Sequence, residues 1–431
     1  MRNRRRGLWP ALDPLDDRCL LSGLTPATLT HAYGLDAITF TSSSGATVRG
    51  NGSGETIALI EAYHDPTLLS DLAVFDQTYN LPATSTAVVN LGGTRTNPGW
   101  ALEESLDVEW AHAIAPGANL VVIEAKSQSR QALLAAVDTA RNMPQVDVVS
   151  MSWGFSEVSY QSSAHFTTPA GHAGITFVAA SGDNGLAGGT NWPAVSPDVL
   201  AVGGTSLVVN DSGNYESETA WYDSGGGFSR YDKEPGYQRI IQATGKRGTP
   251  DVAFDGDPDT GVEVYETSPY TGQGSWSVVG GTSLGTPAWG AIIAIVDQGR
   301  ALQGKGSLDG ASQTLPMLYS LPSSAFKSVS LASRTNVSGG ANLVTGLGSP
   351  NGPSLIADLV ASNLTVPLTT SAAVGSGSNS AVHPRSRKSN IAKDNTPTGR
   401  HQPAPAAPRA STAAAKSSDH PVIRVVRALH R

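Results

Sequence analysis

The stretch Val278-Val279-Gly280-Gly281-Thr282-Ser283-Leu284-Gly285-Thr286-Pro287 decides the fold. Two valines, a glycine pair and an apolar run from Ala288 to Ile295 spell a buried strand, a tight turn and a helix. A serine at that junction lies at a helix N-terminus. Free backbone N–H groups and the positive end of the helix dipole there favour a developing anion. A nucleophilic serine needs that setting, but an N-cap serine sits at the same place. Ser283 alone leaves both roles open.

Two other stretches bear on the choice. In Trp100 to His112, apolar residues at 102, 106 and 110 recur at helical spacing, continuing to 114. Glu103 and Asp107 are four residues apart and share one helix face. Like charges at that spacing repel, so the pair is either a solvated acidic face or an acid/base pair that shares a proton. In Ile175 to Gly185, an apolar run enters the turn Ser181-Gly182-Asp183-Asn184-Gly185. Asp183 is either a turn residue bonding its own backbone or a polar group at the carboxyl end of a parallel strand, where α/β sheets carry their sites.

Together these residues resemble the sedolisins, the serine-carboxyl peptidases. Glu103, Asp107 and Ser283 fall on the family's catalytic Glu, Asp and Ser, and Asp183 on its oxyanion-hole aspartate. Lesser motifs agree. Ser152-Trp153-Gly154 resembles the strand that lines the substrate. Ser224-Gly225-Gly226-Gly227-Phe228-Ser229, Pro250-Asp251-Val252-Ala253 and Thr345-Gly346-Leu347-Gly348-Ser349-Pro350 resemble family signatures, and the resemblance spans residues 24 to 361. It implies an α/β fold with a subtilisin-like parallel sheet, helices on both faces and a single catalytic domain.

The chemistry implied is peptide-bond hydrolysis in acid. Ser283 is the nucleophile, Glu103 its base, and Asp107 orients Glu103. Asp183 must be protonated to donate to the oxyanion, since a carboxylate would repel it. Glu61, ending the run Ile60-Glu61-Ala62, is either a further acid extending this network or an exposed strand-end acid. A rival mechanism makes His64 the base of a subtilisin-type Ser-His-Asp peptidase, but Glu61 stands where that enzyme needs its Asp. A third possibility is an inactive secreted binding or scaffold protein that keeps a vestigial site. His112 reads as packed or solvated.

Composition bounds the rest. The 431 residues hold one cysteine, Cys19, so no intrachain disulfide forms. The net charge of −7 hides a division: residues 24–365 carry fourteen Lys or Arg against thirty-one Asp or Glu. Acid would relieve the repulsion among those carboxylates. No apolar stretch is long enough to span a membrane.

Residues 1–23 read as a basic leader, disordered, and Leu12 to Leu21 resembles a leader that some bacteria place on exported proteins. An extracellular or cell-envelope location follows. Residues 24–365 form the peptidase domain. Residues 366–431, rich in Ser, Ala, Pro and basic residues, read as a disordered tail able to touch nucleic acid, an anionic surface or the acidic core. The expected partners are peptide or protein substrates, with no nucleic acid for the core, and the protein is expected to be a monomer. Within the domain, strands at 56–61, 119–124, 146–151, 175–180 and 199–202 alternate with helices at 66–80 and 130–142, which implies a parallel sheet covered on both faces.

The resemblance fails at one cofactor. Sedolisins usually bind one calcium through an aspartate in a Phe-x-Asp run and another in a Gly-Trp-Asp run. Here those positions are Ser328 and Asn342. With both carboxylates gone, no cofactor and no metal are expected, and a weak calcium site at best. The family is also normally made with a large N-terminal propeptide, whereas about two dozen residues precede the domain here.

Overall fold

A computed structural model describes residues 23–330, 337–338 and 341–363. The leader, but for Gly23, and the tail 366–431 lie outside the described residues.

Eight strands make the main sheet: β1 (Thr56–Ala62), β2 (Thr86–Asn90), β3 (Asn119–Ala125), β4 (Val148–Met151), β5 (Thr176–Ala180), β6 (Leu200–Val209), β7 (Tyr215–Ala220) and β8 (Val252–Asp255). The order is β7-β6-β5-β4-β1-β3-β2, with β8 also paired to β6. Every pairing is parallel except the β6–β7 hairpin. The expected parallel sheet therefore carries one antiparallel strand, which the spacing of apolar residues does not announce.

Alternation along each strand builds two cores. Ile57, Leu59, Leu120, Val122, Val148 and Val178 face one side. Ala58, Ile60, Val121, Ile123, Val149 and Ala179 face the other. This period of two is what a strand pleat imposes. Helix α1 (Arg130–Arg141) covers the second face with Leu133, Ala136, Val137 and Ala140. On the first face lie α2 (Pro98–Ile114) and α3 (Thr282–Ala301).

Both of these helices are enclosed. In α2, fourteen of the seventeen residues are buried, including Glu103, Glu104, Asp107 and Glu109. A solvated acidic face is thus excluded for this helix. Its outer side is covered by the hairpin of β9 (Val262–Thr267) and β10 (Gly274–Val279), where Trp110 Nε1 donates to the Glu263 carbonyl at 3.0 Å and Tyr265 N–H donates to Glu109 at 3.1 Å. The valines before Ser283 belong to this hairpin rather than to the main sheet, and of β10 only Val279 is buried.

Two signature motifs prove to be fold clamps. Arg247 grips Asp251 with two nitrogens at 2.6 Å each, and both side chains are buried. Tyr319 also donates to Asp251, at 2.7 Å. Leu347 N–H of the Thr345–Pro350 turn donates to the Asp251 carbonyl at 2.8 Å. Near the domain start, Tyr33 stacks on Phe254 at 4.3 Å, donates to Glu218 at 2.6 Å and accepts from Asp255 N–H at 3.0 Å.

Candidate active site

The sheet order places the site. From β1 the chain moves outward to β2 and β3, then returns to β4 on the other side of β1 and proceeds to β5 and β6. That reversal opens a crevice beyond the carboxyl ends of the central strands. Glu61 is the penultimate residue of β1, Ser152 follows β4 and Asp183 follows β5. Helices α2 and α3 bring Glu103, Asp107 and Ser283 to the same place.

Ser283 sits in the first turn of α3, whose N-cap is Gly281. The serine is therefore not the cap. Gly281 has φ +118, and a Cβ there would lie 2.9 Å from Asp183 Oδ2. Glycine at 281 thus admits the aspartate to the helix start. Asp183 Oδ1 accepts from Thr282 N–H at 2.9 Å and from Thr282 Oγ1 at 2.7 Å. The Thr282 hydroxyl accepts in turn from Gly182 N–H at 3.0 Å. The Asp183 turn is held from behind by the triple glycine, where Gly225 N–H donates to the Gly182 carbonyl and a Cβ at 225 would lie 2.6 Å from the Ser181 carbonyl. Asp183 reaches across to the helix start rather than only capping its own turn.

Ser283 lies beside Glu103, and its hydroxyl acts on the carboxyl electrostatics of that residue. Burial pushes Glu103 well above the usual carboxylate range, the Asp107 charge pushes further, and the Ser283 hydroxyl pulls back. Asp107 is also raised, by burial first and then by the charge of Glu61, against a lowering bond from Ser152. Glu61 is wholly buried, so it is not an exposed strand-end acid. Neither of its oxygens meets a hydroxyl, amide or amine donor, and its hydrogen-bond partner is the Asp107 carboxyl. Two carboxyls in contact must hold a proton between them.

Ser152, expected against the substrate, is instead tied to Asp107: its Oγ lies 2.9 and 2.7 Å from the two carboxyl oxygens and 3.3 Å from the Ser283 carbonyl. Residues 152–154 form no strand; they leave β4 before Phe155–Ser156 pairs with Asn191–Trp192. The Trp153 ring is core, 1 % exposed, with its indole N–H donating to the Ile60 carbonyl at 3.1 Å. Its face is not offered to a substrate. Gly154 packs on Asn191, where a Cβ would stand 3.1 Å from the Asn191 Cβ.

His64 goes elsewhere. Its Nδ1 lies 2.8 Å from both oxygens of buried Glu124. Glu103 is the acid beside the serine, and the histidine has a different acid. His112 is packed: its Nε2 donates to the Pro82 carbonyl at 2.8 Å and lies 3.2 Å from Asp76.

The calcium positions do not fit a cation. Asn342 spends its Oδ1 on the N–H groups of Val344 and Thr345, at 3.0 and 3.2 Å, and its amide nitrogen on Thr345 Oγ1. Ser328 brings no charge, and Lys327 beside it puts its ammonium 4.0 Å from the centre of the Tyr215 ring. Among the described residues no cluster of His, Cys, Asp or Glu is arranged to hold a metal. The carboxyl cluster itself was legible only in part. Glu104 and Glu124 carry no motif: strand register sets Glu124 beside Glu61, and the packing of α2 brings Glu104 to both.

Comparison with known proteins agrees with this geometry. The family model described as "Subtilase family" matches residues 84–307. Kumamolisin of Bacillus sp. (strain MN-32) is 33% identical over 355 residues, covering 72% of this chain and 61% of its own length. Sedolisin of Pseudomonas sp. (strain 101) is 27% identical, covering 52% and 44% respectively. Tripeptidyl-peptidase 1 of Homo sapiens is 28% identical, covering 78% and 64%. The chain thus spans less than two thirds of the length of each. In fold, it superposes on Pseudomonas sedolisin, a serine-carboxyl proteinase, with a TM-score of 0.66 at 24% identity, over 78% of this chain and 97% of the other. The chain belongs to the subtilase family, within its sedolisin branch.

Proposed function

We propose that this protein is a serine-carboxyl peptidase that hydrolyses peptide bonds in acid. The observation that carries the proposal is the buried cluster of Ser283, Glu103 and Asp107, the last with its neighbours Ser152 and Glu61, set beside Asp183 at the carboxyl ends of the central strands.

Glu103 takes the Ser283 proton as Oγ attacks the carbonyl carbon. The resulting oxyanion accepts a hydrogen bond from the Asp183 carboxylic acid. Glu103 then gives its proton to the leaving amine, and an acyl-enzyme remains. A water molecule attacks the ester, with Glu103 again removing the proton, and the acid product leaves with Ser283 restored. Asp107 and Glu61 share one proton behind Glu103. They orient it and let the cluster accept and return charge without a bare carboxylate pair.

Two carboxyl groups must be in opposite states at once, Glu103 ionised and Asp183 protonated. The Asp183 proton limits activity on the alkaline side, and the raised proton affinity of Glu103 limits it on the acid side, since Glu103 must first give up its proton. Peptides or proteins are the substrates. The leader-like run 12–21 supports action in the extracellular space or the cell envelope. The test is hydrolysis of a protein substrate from pH 3 to 8 by the wild type, Ser283→Ala, Glu103→Ala and His64→Ala. Single losses at Ser283 and Glu103 should each remove roughly three orders of magnitude. Activity that survives Glu103→Ala and vanishes in His64→Ala would instead point to a Ser-His-Asp enzyme. No hydrolysis by the wild type at any pH would point to a scaffold.

A further inference from the structure

A second carboxyl pair lies directly behind the first. Strand register sets Asn90, Glu124 and Glu61 in one row across β2, β3 and β1, at the carboxyl ends of the strands. Glu104, next to Glu103 on α2, lies over this row: it hydrogen-bonds Glu124 and exerts the largest charge effect on Glu61.

The hydrogen bonds fix which member of the pair is ionised. Asn90 Oδ1 accepts from Gly92 N–H at 2.7 Å, so its amide NH₂ must face Glu124, at 2.6 Å. Asp65 N–H donates to Glu124 at 3.2 Å, and His64 Nδ1 stands 2.8 Å from both its oxygens. Three donors converge on Glu124, which suits a carboxylate. Glu104 is buried, and no donor reaches its Oε1. A proton on Glu104, given to Glu124, satisfies both. The His64 side chain is 38 % exposed. The groups that act electrostatically on this cluster are Glu103 and Asp107 on α2, Glu61 on β1, Asp65 after it, and Asp71 and Glu266 beyond Asp65, and Arg95 adjoins His64, its carbonyl accepting from the His64 backbone N–H at 3.2 Å.

We propose that Glu104 holds its proton as a donor to the Glu124 carboxylate, and that the His64 cation balances this carboxylate and so sets the charge felt by Glu61, Asp107 and Glu103. Glu104, Glu124 and His64 are positioning residues: none touches Ser283. The inference rests on the peptidase reading for its kinetic consequence but not for its proton placement. An imidazole is a cation in acid. Removing it leaves Glu124 uncompensated, which raises the proton affinity of every acid in the cluster. Both limbs of the activity profile then move to higher pH.

Two measurements test this. His64→Gln keeps a neutral donor to Glu124 and removes the charge, and it should shift both limbs of kcat/KM upward by roughly half a pH unit or more. Glu104→Ala should lower kcat/KM by roughly tenfold, and Glu104→Gln, whose amide can donate to Glu124, should recover most of the loss. An unshifted profile in His64→Gln, or no recovery from Ala to Gln, overturns the proposal. Independently of turnover, the infrared spectrum of Ser283→Ala protein at pH 6 should lose one protonated-carboxyl C=O band when Glu104→Gln is added. An unchanged spectrum overturns the proton placement even if the protein is a peptidase. A lost band in a protein that hydrolyses nothing would uphold the placement and reject only the peptidase reading.

Discussion

Ser152 Oγ donates to both oxygens of Asp107, at 2.9 and 2.7 Å, while standing 3.3 Å from the Ser283 carbonyl oxygen. One hydroxyl thus couples the Asp107 carboxyl to the backbone of Ser283. Ser152→Ala removes this donor and leaves Asp107 with the proton it shares with Glu61. Asp107 then shifts toward its neutral form, and its grip on Glu103 weakens. We expect kcat to fall by roughly ten- to a hundredfold with a smaller change in KM, measured across the pH profile. Equal activity in Ser152→Ala would mean that the bond is only structural.

Asp183→Asn tests the oxyanion group. The amide donates at every pH, whereas the wild-type group donates only when protonated. The alkaline limb should flatten, even with peak kcat down by roughly ten- to a hundredfold from the altered geometry. A variant profile parallel to that of the wild type would remove Asp183 from the oxyanion role.

Stability should fall as pH rises, and Glu55 is one source. Burial, then the neighbouring Asp147, raise its pKa to about 8. Asp147 is itself committed to Thr56 N–H at 2.9 Å and Ser307 Oγ at 2.7 Å. In the unfolded chain a Glu titrates near 4.3. Between those values the folded state binds the extra proton, so the stabilisation is full below about pH 4 and lost as pH rises toward about 8. Thermal unfolding should show Tm decreasing across that window, and Glu55→Gln should flatten part of the slope. An identical slope in the variant would acquit Glu55.

Arg247→Met breaks a wholly buried pair and strands Asp251. Removing one partner of such a pair costs about 3–5 kcal/mol. Denaturant titration should register that loss with an unchanged m-value. A change under about 1 kcal/mol would mean that Tyr319 and Gln238, which also reach Asp251 at 2.7 and 3.4 Å, suffice to hold it.

Calcium should not matter. Only a ligand bound to the native state raises Tm, and Ser328 and Asn342 offer no carboxylate. Chelation should leave Tm in place. A drop of several degrees, restored by calcium alone, would show that other oxygens complete a site.

What was legible in the sequence was local. The glycine turn before Ser283, the i,i+4 acids Glu103 and Asp107, and the apolar runs of the central strands are patterns that one short segment carries by itself. Their order in the chain was enough to bring the family into view. Tertiary structure decided everything that depends on what covers a segment. An acidic helix reads as solvated unless the hairpin 262–279 is known to lie over it. Once buried, the same acids cannot all ionise, because desolvation penalises each charge and each neighbour adds to the penalty. Strand register is equally silent in sequence. Asn90, Glu124 and Glu61 are separated by 34 and 63 residues, and only the pairing of β2, β3 and β1 makes them a row. The same holds for Trp153 and Ser152. Successive residues leaving a strand point to opposite faces, so the tryptophan entered the core and the serine reached Asp107. The sequence by itself determined which groups are candidates for the chemistry, and the packing around them determined which of those groups can hold a proton.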